Sequence, residues 1–119
     1  MPIERELSGD VLRFRLDDEQ SRAADPEVLQ QQGRSARTLL KDGFLRVTLI
    51  ALAAGGHVAE HSADGPITVQ PLTGSIRFSA GGRDYELRPG ELLSVRAGLR
   101  HSVSSDQGGS FLLTISLAP

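Results

Sequence analysis

Three histidines, His57, His61 and His101, are the chain's best candidates for chemistry. His61 opens the stretch HSADGPITVQPLTG, in which a Gly-Pro turn leads into a β-like run and a glycine. His57 and His61 have the spacing of a metal-binding pair on a helix. On an extended strand the same four residues span roughly 13 Å. Two donors each about 2 Å from one ion cannot be that far apart. His57 therefore joins a site only if Gly55 and Gly56 bend the chain back. Glu60 neighbours His61 and, on an extended segment, points to the opposite face. Asp64 lies in the turn and could reach inward. Gln70 offers an amide for a ligand, and Arg96 offers the planar fork suited to a carboxylate.

Other chemistries are excluded more firmly. The chain has no cysteine, which removes disulfides, thiolate metal sites and cysteine nucleophiles. Ser62, Ser102 and Ser104 sit beside histidines, but none stands in a nucleophile-elbow glycine pattern. Gly81-Gly82 and Gly108-Gly109 precede strand-like runs and not helices, so no phosphate-cradling loop is present. The net charge of -2 supplies no basic field for a nucleic acid. Arg34, Arg37, Lys41 and Arg46 form a mild basic cluster that Asp42 interrupts, and it reads as a solvated face.

The elements that must position these residues are strands. From Phe44 onward come FLRVTLIALAAGG, ITVQPL, SIRFSA, RDYELR, ELLSVRA, HSVSS and SFLLTISL, each short and bounded by Gly or Pro. Ile76 and Phe78 alternate with Arg77, and Leu113, Ile115 and Leu117 alternate with Thr114 and Ser116. A period of two with one polar face describes half-buried strands, and the turn rhythm fits an antiparallel sandwich or barrel. Before this, Val11, Phe14 and Leu16 predict a short strand, and Asp17, Asp18 and Glu19 break its apolar pattern. Asp25-Pro26-Glu27 predicts a helix start and Gly33 its end. The reading is thus an N-terminal extension over residues 1–40 with one short helix, then a barrel domain over residues 41–119.

At 119 residues and 39% hydrophobic content, one domain with a real core is expected. Residues 1–8 carry Glu4, Arg5 and Glu6 and no apolar run, so no signal peptide is expected. The longest apolar stretch, residues 47–54, is far below the roughly 18 residues of a membrane span. A cytoplasmic location is the default expectation.

The glycine and histidine spacing resembles the cupin family, small jelly-roll barrels. The second cupin motif, G-x5-P-x-G-x2-H-x3-N, is matched by Gly90, Gly98 and His101, with Arg96 in the proline position and Ser105 in the asparagine position. The first, G-x5-H-x-H-x3or4-E-x6-G, keeps Gly55, His61 and Gly74, but Ala63 takes the second histidine position and Ile67 the glutamate position. A shift of the turn would instead put His61 in the second position and Ala59 in the first. The resemblance covers residues 44–117 and is strongest to short single-barrel bacterial members of unassigned activity. It implies an all-β, jelly-roll (cupin-type) antiparallel β-barrel. It also implies that His61 and His101 meet inside, where a divalent metal (zinc, nickel, iron or manganese) would be held weakly. No organic cofactor is expected.

The resemblance further implies a homodimer in which the V-L-R-F-R-L segment crosses to the partner sheet. The ligand would lie in an apolar interior drawn from Phe44, Val47, Leu49, Val69, Phe78, Leu93, Val95 and Leu113. The first expectation is a barrel binding a small molecule through His61, His101, Gln70 and Arg96. The second is a metal-dependent enzyme of dioxygenase or isomerase type using His61 and His101, with Asp64 or Glu60 swinging in. The third is a structural module whose histidines are incidental.

Overall fold

The computed structural model describes residues 6–117. Among these the chain forms α1 (Leu16–Ala23), α2 (Pro26–Gln32), β1 (Arg34–Asp42), β2 (Leu45–Leu52), β3 (His57–His61), β4 (Ile67–Gly74), β5 (Ile76–Ala80), β6 (Arg83–Leu87), β7 (Leu93–Val95), β8 (His101–Ser104) and β9 (Gly109–Ser116). One sheet runs β1-β2-β9-β4-β7 and the other β3-β8-β5-β6. Every strand pairing is antiparallel. This is the jelly-roll architecture expected. No helix is long and apolar enough to cross a membrane among the described residues.

Alternation along the strands builds the interior. Ile67 and Val69 of β4, Ile76 and Phe78 of β5, Val103 of β8 and Phe111 of β9 are buried together between the sheets. The other face of the five-stranded sheet is also apolar. Leu39 and Leu49 are buried there with Ala23 of α1, and Phe14, Leu16, Val47, Leu72 and Leu112 pack around them. Val47 and Leu49 therefore lie outside the barrel, under α1, and not in its interior as expected. Phe44 is also outside it, 56% exposed beside the β1–β2 hairpin.

The N-terminal part differs from expectation in three ways. Residues 11–15 form no strand, and Val11 is 87% exposed. Leu16 begins a helix in place of a strand, so the described residues hold two helices where one was expected. The reason is that Phe14, Leu16 and Ala23 find apolar partners on the sheet's outer face. Asp17, Asp18 and Glu19 occupy the first turn of α1, where negative charge favours a helix. Glu19, buried among these contacts, accepts from Arg37 Nε at 2.6 Å and Arg22 at 3.3 Å, which ties α1 to β1. The third difference is that the sheet begins at Arg34, ahead of residue 41, because β1 pairs with β2 over its whole length.

The second helix is as read. Asp25 Oδ1 accepts from the backbone N–H groups of Glu27 and Val28, Pro26 opens the helix, and Gly33 closes it with φ of 77°. The α2–β1 junction sits against the β2–β3 turn: a Cβ on Gly56 would lie 2.1 Å from the Gly33 carbonyl oxygen.

Candidate functional site

His61 and His101 are directly opposite each other across the β3–β8 pair. Their placement depends on a β-bulge. Val58 faces Val103 and His61 faces His101, so Ala59 and Glu60 together oppose one residue of β8. Plain alternation from the inward Val58 would turn Glu60 inward and His61 outward. The extra residue reverses this. His61 turns to the same side as His101 and lines the same cavity while staying solvent-exposed, and Glu60 accepts from Arg100 Nε at 2.5 Å on the other face.

The imidazole centroids are 4.4 Å apart with planes inclined at 69°. His101 is 5% exposed and stacks on Phe78 at 5.3 Å. Each ring is held by a backbone carbonyl two residues before it. His61 Nδ1 is 2.8 Å from the Ala59 oxygen, and His101 Nδ1 is 3.0 Å from the Leu99 oxygen. A carbonyl has no proton to give, so both Nδ1 atoms donate. In the neutral rings Nε2 is then the free acceptor on each. No buried side-chain nitrogen or oxygen lacks a partner among the described residues, so the Nε2 of His101, which has none, still meets solvent.

The two rings are part of the wall of a cavity of about 60 Å³ that is partly open to solvent. The rest of its lining is apolar: Ile50, Val58, Ile67, Phe78, Val103, Phe111 and Leu113. Ile67, in the glutamate position of the first motif, faces this same space. Ala63, in the second histidine position, packs partly buried against the interior, and its carbonyl accepts from Gly98 N at 3.0 Å. Ser105, in the asparagine position, is structural. Its hydroxyl donates to the Ser75 carbonyl at 2.8 Å, and its backbone exchanges hydrogen bonds with Gly55 and Gly56.

The remaining sequence candidates stand apart from this cavity. His57 is exposed opposite Ser104. Gln70 is exposed on the face of β4 opposite to Ile67 and Val69. Arg96 is exposed after β7 and lines a separate groove with Tyr85 and Leu99. Asp64 is exposed in the β3–β4 turn. Ile50, Val58, Ile67, Val103 and Phe111 are the lining residues that the sequence reading did not assign to the interior. The motif count did place Ile67 in a ligand position, and that was the available signal.

These donors do not fit a resident divalent metal. Two imidazoles are present, but the carboxylate position is an isoleucine in an apolar wall. No group of three His, Cys, Asp or Glu side chains is placed to hold an ion among the described residues. Three protein ligands are the ordinary minimum for a catalytic zinc site.

Burial pushes the His101 pKa below the ordinary 6.5. The Leu99 carbonyl opposes this in part, and the neighbouring His61 adds to it. Stability should follow. Well above pH 6.5 both the folded and unfolded rings are neutral. As the pH falls through that value the unfolded chain takes up the proton first, so folding weakens. The urea midpoint should fall between pH 7 and pH 5, and His101→Gln should remove part of the slope. An unaltered slope in that variant would show that His101 is not its source.

No protein-family model matches the chain, and no curated protein matches it. Solved structures do. A cupin superfamily protein from Desulfitobacterium hafniense aligns with a TM-score of 0.69 at 19% identity, over 71% of this chain and 78% of its own. A cupin-2 domain containing protein from Shewanella frigidimarina aligns with a TM-score of 0.70 at 12% identity, over 87% and 93%. A mutant of salicylate 1,2-dioxygenase from Pseudoaminobacter salicylatoxidans, in complex with gentisate, aligns with a TM-score of 0.73 at 15% identity, over 87% of this chain and 32% of that one. The chain therefore has the cupin fold.

Proposed function

We propose that this cupin-fold chain is a small-molecule-binding barrel whose guest sits in the cavity lined by His61 and His101. The observation that carries this reading is the pair of imidazoles, both held through Nδ1 on backbone carbonyls, in the wall of an otherwise apolar space. Such a site accepts a hydrogen bond from its guest and surrounds the rest with hydrocarbon. It suits a neutral hydroxyl compound better than an anion, because the rest of the lining is hydrocarbon and holds no charged side chain. A buried carboxylate without a cation would be costly there. The space is small beside an apolar cavity of about 150 Å³ that binds benzene. The metal-dependent enzyme considered from the sequence requires Asp64 or Glu60 to swing in; Glu60 is paired with Arg100 and Asp64 is exposed in the turn, and no step is assigned to it.

Short alcohols test this reading. Titration with 1-butanol should move the Nε2 nitrogen resonances of both histidines and raise the melting temperature. The expected dissociation constant is on the order of millimolar, as befits a guest of so few heavy atoms. Absence of any imidazole shift at saturating alcohol would rule the cavity out as a binding site and leave the histidines incidental.

A further inference from the structure

The histidine cavity, at about 60 Å³, lies well below the roughly 300–1,000 Å³ of ordinary small-molecule sites. A second concavity of about 290 Å³ adjoins it between α2, the β1 edge and the β3 edge. Ile50 and Val58 belong to the walls of both. Both are only partly buried, so the boundary shared by the two spaces is made of side chains that are not packed shut. Val28 of α2 and Ala36 of β1 continue the apolar lining outward. Ala36 pairs with Ile50 across β1–β2, and Arg34 lies two residues further along the same face of β1. That places Arg34 roughly 7 Å along β1 from Ala36.

Among the described residues, Arg34 is the only ionic group lining the groove. It is exposed and makes no ion pair with any described residue, as is also true of Arg13, Arg15, Arg46, Arg83, Arg88 and Arg96; what sets it apart is its place on this groove. The chain's net charge is -2, so no general positive field draws an anion here. Any preference for one must come from this guanidinium.

We propose that groove and cavity are one site for a linear amphipathic carboxylate. Its carboxylate pairs with Arg34, its hydrocarbon chain follows Val28 and Ala36, and its far end passes Ile50 and Val58 to lie beneath the two imidazoles. This rests on the cavity reading above and adds the ligand's class and direction. The far end is a methyl or hydroxyl group, because the rest of the cavity lining is hydrocarbon and holds no charged side chain to stabilise a second charge.

Calorimetric titration with straight-chain carboxylates from butanoate to octanoate, beside 1-alkanols of equal length, tests it. Affinity should rise about fourfold per added methylene until the groove is filled. Arg34→Gln should lower the carboxylate-to-alkanol affinity ratio about fivefold, the upper range for an exposed pair. Ala36→Trp, a change at an exposed position, should fill the groove and abolish the gain with chain length. If short alkanols bind but affinity is flat with length, the groove is not part of the site, and only the cavity reading survives. A length dependence that persists in Ala36→Trp also overturns the proposal. So does sedimentation showing a dimer that Ala36→Trp dissociates, since a second copy would then occupy the groove. If neither series binds, both readings fall.

Discussion

Zinc should raise the melting temperature of an Ile67→Glu variant by roughly 10–20 °C and should do nothing comparable to the parent chain. Ile67 is 3% exposed and faces the same cavity as His61 and His101. Without metal, the new carboxyl group would be buried against hydrocarbon. It would resist ionisation and destabilise the fold by a few kcal/mol. With zinc it completes two imidazoles and a carboxylate, the donor set of many catalytic zinc sites. Metal at a hundred times its dissociation constant contributes about 2.7 kcal/mol of linkage. Each kcal/mol moves the midpoint of a domain near this size by about 4–8 °C. Differential scanning calorimetry with and without zinc reads the effect directly. Equal zinc response in parent and variant would mean that Ile67 does not occupy the missing ligand's place.

Gly65→Ala should cost on the order of 4 kcal/mol, among the larger effects of single substitutions. Gly65 is buried in the turn between β3 and β4. A Cβ there would lie 1.7 Å from the Ser116 carbonyl oxygen and 2.8 Å from its carbon. Both are backbone atoms of β9, so no side-chain rotation relieves the overlap. The turn must move off the strand, which breaks the bond from Ser116 N–H to the Pro66 carbonyl. Asp64→Ala, at the exposed neighbouring position, serves as the control with little effect. The expected loss is about 15–30 °C in melting temperature. A Gly65→Ala variant melting within about 5 °C of the parent, the shift of a single kcal/mol, would show that the approach is looser than described.

Much of the barrel was legible because its information is local. Alternation in SIRFSA and SFLLTISL and the glycines between runs locate β5, β9 and their turns without tertiary knowledge. The N-terminal part was not legible for the opposite reason. Whether Phe14 and Leu16 belong to a strand or a helix depends on the apolar outer face of a sheet formed later in the chain. For the same reason Val47 and Leu49 were assigned to the wrong side of β2: alternation separates two faces but does not say which is the interior when both are apolar. The meeting of His61 and His101 followed from motif spacing. The bulge that turns His61 inward did not, since nothing in H-V-A-E-H marks where an extra residue is absorbed. The groove between α2 and β1 was illegible because it joins residues from a helix and from the edges of both sheets.

That bulge has a consequence for how such a chamber changes its chemistry over time. It is a store of one spare residue, and a deletion nearby can draw on it. Losing Ala59 would only straighten the strand and leave the imidazole at 61 facing its partner. Losing Ser62 instead, with the bend after it kept at its present length, would pull the chain forward by one place. The acid at position 60 would then enter the chamber and the imidazole at 61 would move to the rim, with no codon for either rewritten. A length change is thus a direct route from a base-lined chamber to an acid-lined one.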